Sequence, residues 1–137
     1  MPDIVVASDE EWVLDEVRSA VSGVPDARTR EVDSGFSVLT AVKQTLPDLV
    51  VVDMQIGNMG GMAVCLDLRL EESGGRIGHV PVLMLLDRRA DVFLARRSGA
   101  EGWLVKPLDP MRLRKAIRAL LAGETYHDES YKPAPVP

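Results

Sequence analysis

The sequence holds one cysteine, Cys65, and two distant histidines, His79 and His127, among its 137 residues. A lone thiol excludes an intrachain disulfide, and this ligand set is too poor for a zinc site. Aromatic residues make up only 4%, so a core must be built from the aliphatic share of the 46% hydrophobic residues. No apolar run approaches the roughly 18 residues of a membrane helix. Met1-Pro2-Asp3 lacks the charged and apolar regions of a secretory signal. A reduced, cytoplasmic setting without membrane attachment is expected. The net charge of −5 argues against wholesale nucleic-acid binding and leaves only local basic faces. There is no Gly-x-Gly-x-x-Gly or Walker pattern, and no Ser/Thr/Gly-rich phosphate loop follows Ala7, which argues against nucleotide and flavin binding.

What is present is an alternation of short apolar runs with amphipathic segments. Ile4–Ala7 is a β-branched run, after which Trp12, Val13, Val17, Ala20 and Val21 recur at helical spacing. Ala27–Val32 alternates as a half-exposed edge strand would. Asp33-Ser34-Gly35 is a turn and helix cap, and Val38, Leu39, Val42 and Leu46 mark a helix stopped before Pro47. Leu49–Val52 is apolar on both faces, as in a buried parallel strand, and leads into Asp53. A glycine-bearing loop precedes a helix from about Met62 to Leu70. Val80–Leu86, with Pro81 near its start, is the next strand, and Ala90–Ser98 a short helix. Gly102–Val105 is the fifth strand. Asp109 and Pro110 cap a last helix through Leu121.

Five β-α units predict an α/β fold with helices on both faces of a parallel sheet. The expected architecture is flavodoxin-like, (βα)5 and doubly wound, with five strands in the order 2-1-3-4-5. Residues 1–123 form the domain. Residues 124–137, with three prolines and many polar residues, are expected to be a flexible tail.

Open parallel sheets bind ligands beyond the carboxyl ends of their strands. The first and third strands end at Asp9 and Asp53, and the fifth at Lys106. Singly, each aspartate reads as a turn former and the lysine as a loop residue. Together they gather two carboxylates and an ammonium on one rim. Hard oxygen ligands of this kind suit Mg²⁺.

Four stretches in order then carry a resemblance. Pro47–Asp53, the loop Asp53–Gly61, Val80–Leu85 and Leu104-Val105-Lys106-Pro107-Leu108-Asp109 resemble the receiver domains of two-component response regulators, over residues 3–122. The resemblance implies that Asp53 accepts a phosphoryl group and that Asp9, Asp53 and the backbone carbonyl of Gln55 hold Mg²⁺. It further implies that Lys106 pairs with the carboxylate and then with a phosphoryl oxygen. Pro107 often follows a cis bond in that family. The donor would be a histidine kinase or a phosphotransfer protein. No catalysis is expected beyond self-phosphorylation from such a donor and slow autodephosphorylation.

The chain departs from the family at five positions. The usual pair of acids after the first strand reads Ser8-Asp9, so Mg²⁺ binding is expected to be weak. A slipped pair, Asp9-Glu10, would turn Val13 and Val17 away from the core. Leu86 stands where the family places the Thr or Ser that couples phosphorylation to the switch, and leucine donates no hydrogen bond. Asp87 follows where a small residue is usual; it can obstruct the phosphoryl group or replace a metal ligand. Trp103 occupies the switch-aromatic position, either as a switch or as a partly buried indole. Gly57 replaces a loop proline.

Output is expected through protein contact, with a downstream partner or a second copy docking on the face of the fourth helix, fifth strand and fifth helix. Arg88, Arg89, Arg96, Arg97, Arg112, Arg114, Lys115 and Arg118 lie there, as a docking face or a solvated basic one. The alternatives are a pseudo-receiver that binds without phosphorylation, or the receiver part of a longer regulator. A haloacid-dehalogenase-type phosphatase would need a second Asp at Gln55. Cys65 reads as a small core residue.

Overall fold

The computed structural model describes residues 1–57 and 59–128. Strands β1 (Asp3–Ala7), β2 (Arg28–Val32), β3 (Leu49–Asp53), β4 (Val82–Leu86) and β5 (Gly102–Val105) alternate with helices α1 (Glu11–Val21), α2 (Gly35–Gln44), α3 (Gly61–Ser73), α4 (Val92–Ser98) and α5 (Pro110–Leu121). All strand pairings are parallel. With a short β6 (Tyr126–His127), the sheet has six strands in the order β2-β1-β3-β4-β5-β6.

The sixth strand corrects the five-stranded expectation. β6 (Tyr126–His127) lies within the stretch expected to be a tail and pairs Gly102 with Tyr126 and Trp103 with His127. Tyr126 donates its amide to Glu101 O at 3.2 Å, and Asp128 donates its own to Trp103 O at 3.2 Å. The buried Asp128 carboxylate then accepts the Val105 N–H at 2.9 Å and faces Arg112 at 3.1 Å. Side-chain bonds thus anchor a strand too short to show any periodicity. Residues 129–137 of the expected tail lie outside the described residues.

The strand interiors are buried on both faces, as their unbroken apolar runs require. Alternate residues divide between two cores because side chains on a strand point to opposite faces. Ile4, Val6, Val51, Leu83, Leu85 and Leu104 meet α1 and α5 through Val13, Val17, Leu113 and Ile117. Val5, Val50, Val52, Met84 and Leu86 meet α2, α3 and α4 through Val38, Val64, Leu68 and Ala95. β2 is half-exposed, as its alternating sequence predicts, and the short β6 is also partly exposed.

Caps behave as read. Ser34 accepts from Ser37 N, and Asp109 from Met111 N with Pro110 in the first turn. Several boundaries differ from the sequence reading: α2 ends at Gln44 rather than running through Leu46, β1 and β2 each start one residue from the expected position, and three further ones are instructive. β4 starts at Val82 because Pro81 lacks a donor; its carbonyl alone joins the ladder, accepting Val50 N at 3.0 Å. α3 continues to Ser73 through polar residues that carry no apolar signal. A 3-10 turn at Arg89–Asp91 precedes α4, capped by Asp91 accepting the Arg88 amide.

Candidate active site at the carboxyl rim

The order β2-β1-β3 leaves the carboxyl ends of β1 and β3 side by side, with β4 and β5 following. Asp53 pairs in register with Leu85, and Leu86 with Val105. Ser8, Asp53, Asp87 and Lys106 therefore leave four adjacent strand ends together.

Asp53 is fully buried, and both its oxygens are engaged. Oδ1 accepts Lys106 Nζ at 2.8 Å and Gln55 N at 3.2 Å. Oδ2 accepts the Ser8 hydroxyl at 2.9 Å. Ser8 Oγ in turn accepts the Glu10 amide at 3.1 Å. A buried carboxylate is tolerable only with such partners. Lys106 also reaches Asp87 Oδ1 at 2.8 Å. Burial pulls the Lys106 ammonium down, but its bonds to Asp53 and Asp87 outweigh this and leave its pKa raised. Lys106 Nζ further lies 5.4 Å from the centre of the Trp12 ring, within cation–π range.

Asp53 and Lys106 form one ion pair. Ser8 is buried against Asp53 while Val13 and Val17 are in the core, so the unslipped register is the observed one. Asp9 is exposed on the rim, its carboxylate next to Gly57, where an added Cβ would sit 3.1 Å from Oδ2. Gln55 is exposed in the turn after β3. Gly61 lets the loop close tightly, since a Cβ there would come 2.9 Å from Asp53 O. The Leu86 side chain lies in the core and offers the rim no hydrogen-bonding group. Trp103 is buried, stacked on His127 at 4.1 Å, with Arg96 over its ring at 5.3 Å. The Lys106–Pro107 bond is cis.

Two contacts were not legible in the sequence. The sequence points to Asp87 as an obstruction or metal ligand, whereas in the structure it is an ion-pair partner of Lys106. Trp12 was grouped with the core face of its helix, yet it is 48% exposed and sits over Lys106. Its place just after Asp9, at the first turn of α1, was the available signal.

The donors suit a magnesium ion that keeps much of its water, since such an ion needs only one or two carboxylates from the protein. Asp9, Asp53 and the Gln55 carbonyl are all hard oxygen donors, and Asp87 Oδ2 is buried without a hydrogen-bond partner among the described residues. No group of three or more His, Cys, Asp or Glu that could hold a metal occurs among the described residues, so water must supply much of any shell.

The sequence model of the response regulator receiver domain matches residues 4–118. The chain belongs to this family. The DNA-binding response regulator MtrA of Mycobacterium tuberculosis is 32% identical over 119 residues, covering 85% of this chain and 50% of that protein. The nitrate/nitrite response regulator NarL of Escherichia coli is 28% identical over 131 residues, covering 95% of this chain and 59% of NarL. Among solved structures, the signal receiver domain of NarL from Mycobacterium tuberculosis superposes with a TM-score of 0.77 at 27% identity, covering 90% of this chain and 98% of that one. The chain spans about half the length of the curated relatives it matches. It is therefore a receiver domain of the two-component type. Phosphorylation and magnesium binding are expected of the family, and receiver domains interact with histidine kinases. Among the described residues, no helix is long and apolar enough to cross a membrane.

Proposed function

We propose that this receiver domain accepts a phosphoryl group on Asp53 from a histidine kinase or phosphotransfer protein and acts through protein contact. The observation that carries this is the buried Asp53–Lys106 pair at 2.8 Å at the carboxyl rim. An Asp53 oxygen attacks phosphorus, the bond from phosphorus to the donor breaks, and the donor leaves with the electron pair. Gln55 N and the Ser8 hydroxyl fix the carboxylate for this attack. Lys106 balances the added negative charge. Asp9, Asp53 and the Gln55 carbonyl would hold Mg²⁺, which when bound offsets the repulsion between carboxylate and phosphoryl group. With Ser8 in place of a second acid, this affinity is weak. The only chemistry assigned to the chain is this transfer and slow loss of the phosphoryl group.

Output runs through the face of α4, β5 and α5, toward a downstream protein or a second copy, without direct nucleic-acid contact by this stretch. Much of the basic character of that face is already used internally. Arg112 meets Asp128, Arg118 donates to Gly23 O at 2.7 Å, and Arg96 covers Trp103. A second reading, partner binding independent of phosphate and within a longer regulator or alone, is favoured by the complete engagement of Asp53.

Acetyl phosphate with Mg²⁺ tests the first reading. Intact-mass measurement should show one phosphoryl adduct that is absent from Asp53→Asn. No adduct after prolonged treatment, with acetyl phosphate or with a kinase, would favour the second reading.

A further inference from the structure

We propose that Asp87 is a positioning residue that gates the site, because its carboxylate holds the Lys106 ammonium in competition with a phosphoryl group on Asp53. The inference rests on the phosphoacceptor reading above and gives that site a built-in control.

Lys106 Nζ lies 2.8 Å from Asp53 Oδ1 and 2.8 Å from Asp87 Oδ1. The lysine is thus shared between the acceptor and a second anion. The side chain of Lys106 is 11% exposed, that of Asp53 not at all and that of Asp87 33%, so the Asp53 side of the pairing is shielded from water and the Asp87 side is partly open to it. Asp87 is held there by topology. Leu86 pairs with Val105 at adjacent strand ends, and Lys106 N donates to Leu86 O at 2.8 Å. The residue after Leu86 therefore faces the residue after Val105 across one strand spacing.

The charge balance gives the consequence. Asp53, Asp87 and Lys106 together carry one negative charge. Transfer of a phosphoryl group replaces the Asp53 carboxylate charge by the larger charge of an acyl phosphate. Lys106 must then turn from Asp87 to the new oxygens, leaving Asp87 as an unneutralised carboxylate beside them. Asp87 Oδ2, buried and without a hydrogen-bond partner among the described residues, has no other donor to compensate. Both effects slow the transfer, and both vanish when the carboxylate becomes an amide. Leu86 adds no hydroxyl that could offset the loss.

The test compares wild type, Asp87→Asn and Asp87→Glu for the initial rate of adduct formation from acetyl phosphate and Mg²⁺. Asp87→Asn should react about fivefold faster or more, the factor expected for a partly exposed ion pair. Asp87→Glu, which keeps the charge, should stay near the wild-type rate. A double-mutant cycle of urea stability with Asp87→Asn, Lys106→Met and the pair reads the ion pair without any phosphoryl transfer. The cycle should show coupling of about fivefold in the folding equilibrium. Wild type labelled with Asp87→Asn equally fast or slower would overturn the gate and leave the phosphoacceptor reading standing. If neither protein is labelled, the phosphoacceptor reading fails, and the cycle decides whether Asp87 holds Lys106: additive energies overturn it.

Discussion

Replacing Ser8 by aspartate restores the second acid and shows how much the hydroxyl stabilises the site. The Ser8 oxygen lies 2.9 Å from Asp53 Oδ2 and donates to it. A carboxylate in its place turns a hydrogen bond into a like-charge contact in a buried setting. Two unit charges about 4 Å apart at an effective dielectric constant near 20 repel by roughly 4 kcal/mol. The lost hydrogen bond adds about 1 kcal/mol, while Lys106 takes back part of the total. In chelator, Ser8→Asp should therefore be less stable by about 3 kcal/mol, out of a total of roughly 5–15. With a urea m-value of about 1–3 kcal/mol/M, the midpoint falls by about 1–3 M. Magnesium should reverse this, because an ion at a hundred times its dissociation constant contributes about 2.7 kcal/mol. Wild type should respond far less to the same addition. Trp12, beside Lys106, provides a fluorescence signal for the titration. An unchanged midpoint in chelator, or equal magnesium responses in the two proteins, would refute the reasoning.

Other perturbations bear on different parts of the structure. Leu86→Thr removes a fully buried side chain and should cost about 2 kcal/mol or more, while making Trp103 fluorescence respond to acetyl phosphate; a flat response would remove Leu86 from the explanation. Asp128→Ala leaves the Val105 amide without its side-chain acceptor, costing about 1–3 kcal/mol and speeding hydrogen exchange at Val105. Unaltered exchange there would show that β6 contributes nothing to the lysine loop. Burial pushes the Cys65 thiol up, outweighing Arg69 and the bond to Ser98 O. Its neutral form is favoured in the fold, so its contribution is complete below the ordinary thiol value of about 8.5 and is lost as pH rises from there through the higher folded value. Alkylation of Cys65 should accordingly track unfolding; rapid modification of the folded protein would contradict its burial.

The sheet was legible because parallel strands buried on both faces leave continuous apolar runs, such as Leu49–Val52. The register at Ser8 was legible through Val13 and Val17, whose burial fixes where α1 begins. Asp53 and Lys106 could be brought together from topology alone, because successive strands of this fold end at one rim. β6 could not. Two residues carry no period, and their anchor is the Asp128 carboxylate reaching Val105 across 23 residues. Trp12 was misassigned because helical spacing says which residues share a face, but not where the face meets the rim. Asp87 was visible as an unusual acid, yet its partner depended on the register of β4 against β5, in which Leu86 pairs with Val105. The strand order makes those strands neighbours, but sequence spacing does not encode their register.

The most direct measurement is to trap the acyl phosphate. After treatment with acetyl phosphate and Mg²⁺, borohydride reduction converts a phosphorylated aspartate to homoserine, which peptide mapping then locates. The account predicts homoserine at residue 53 and at no other aspartate, with none at residue 9 or 87. Reduction product at a different carboxylate, or a protein that yields none in either the wild type or Asp87→Asn, would contradict it.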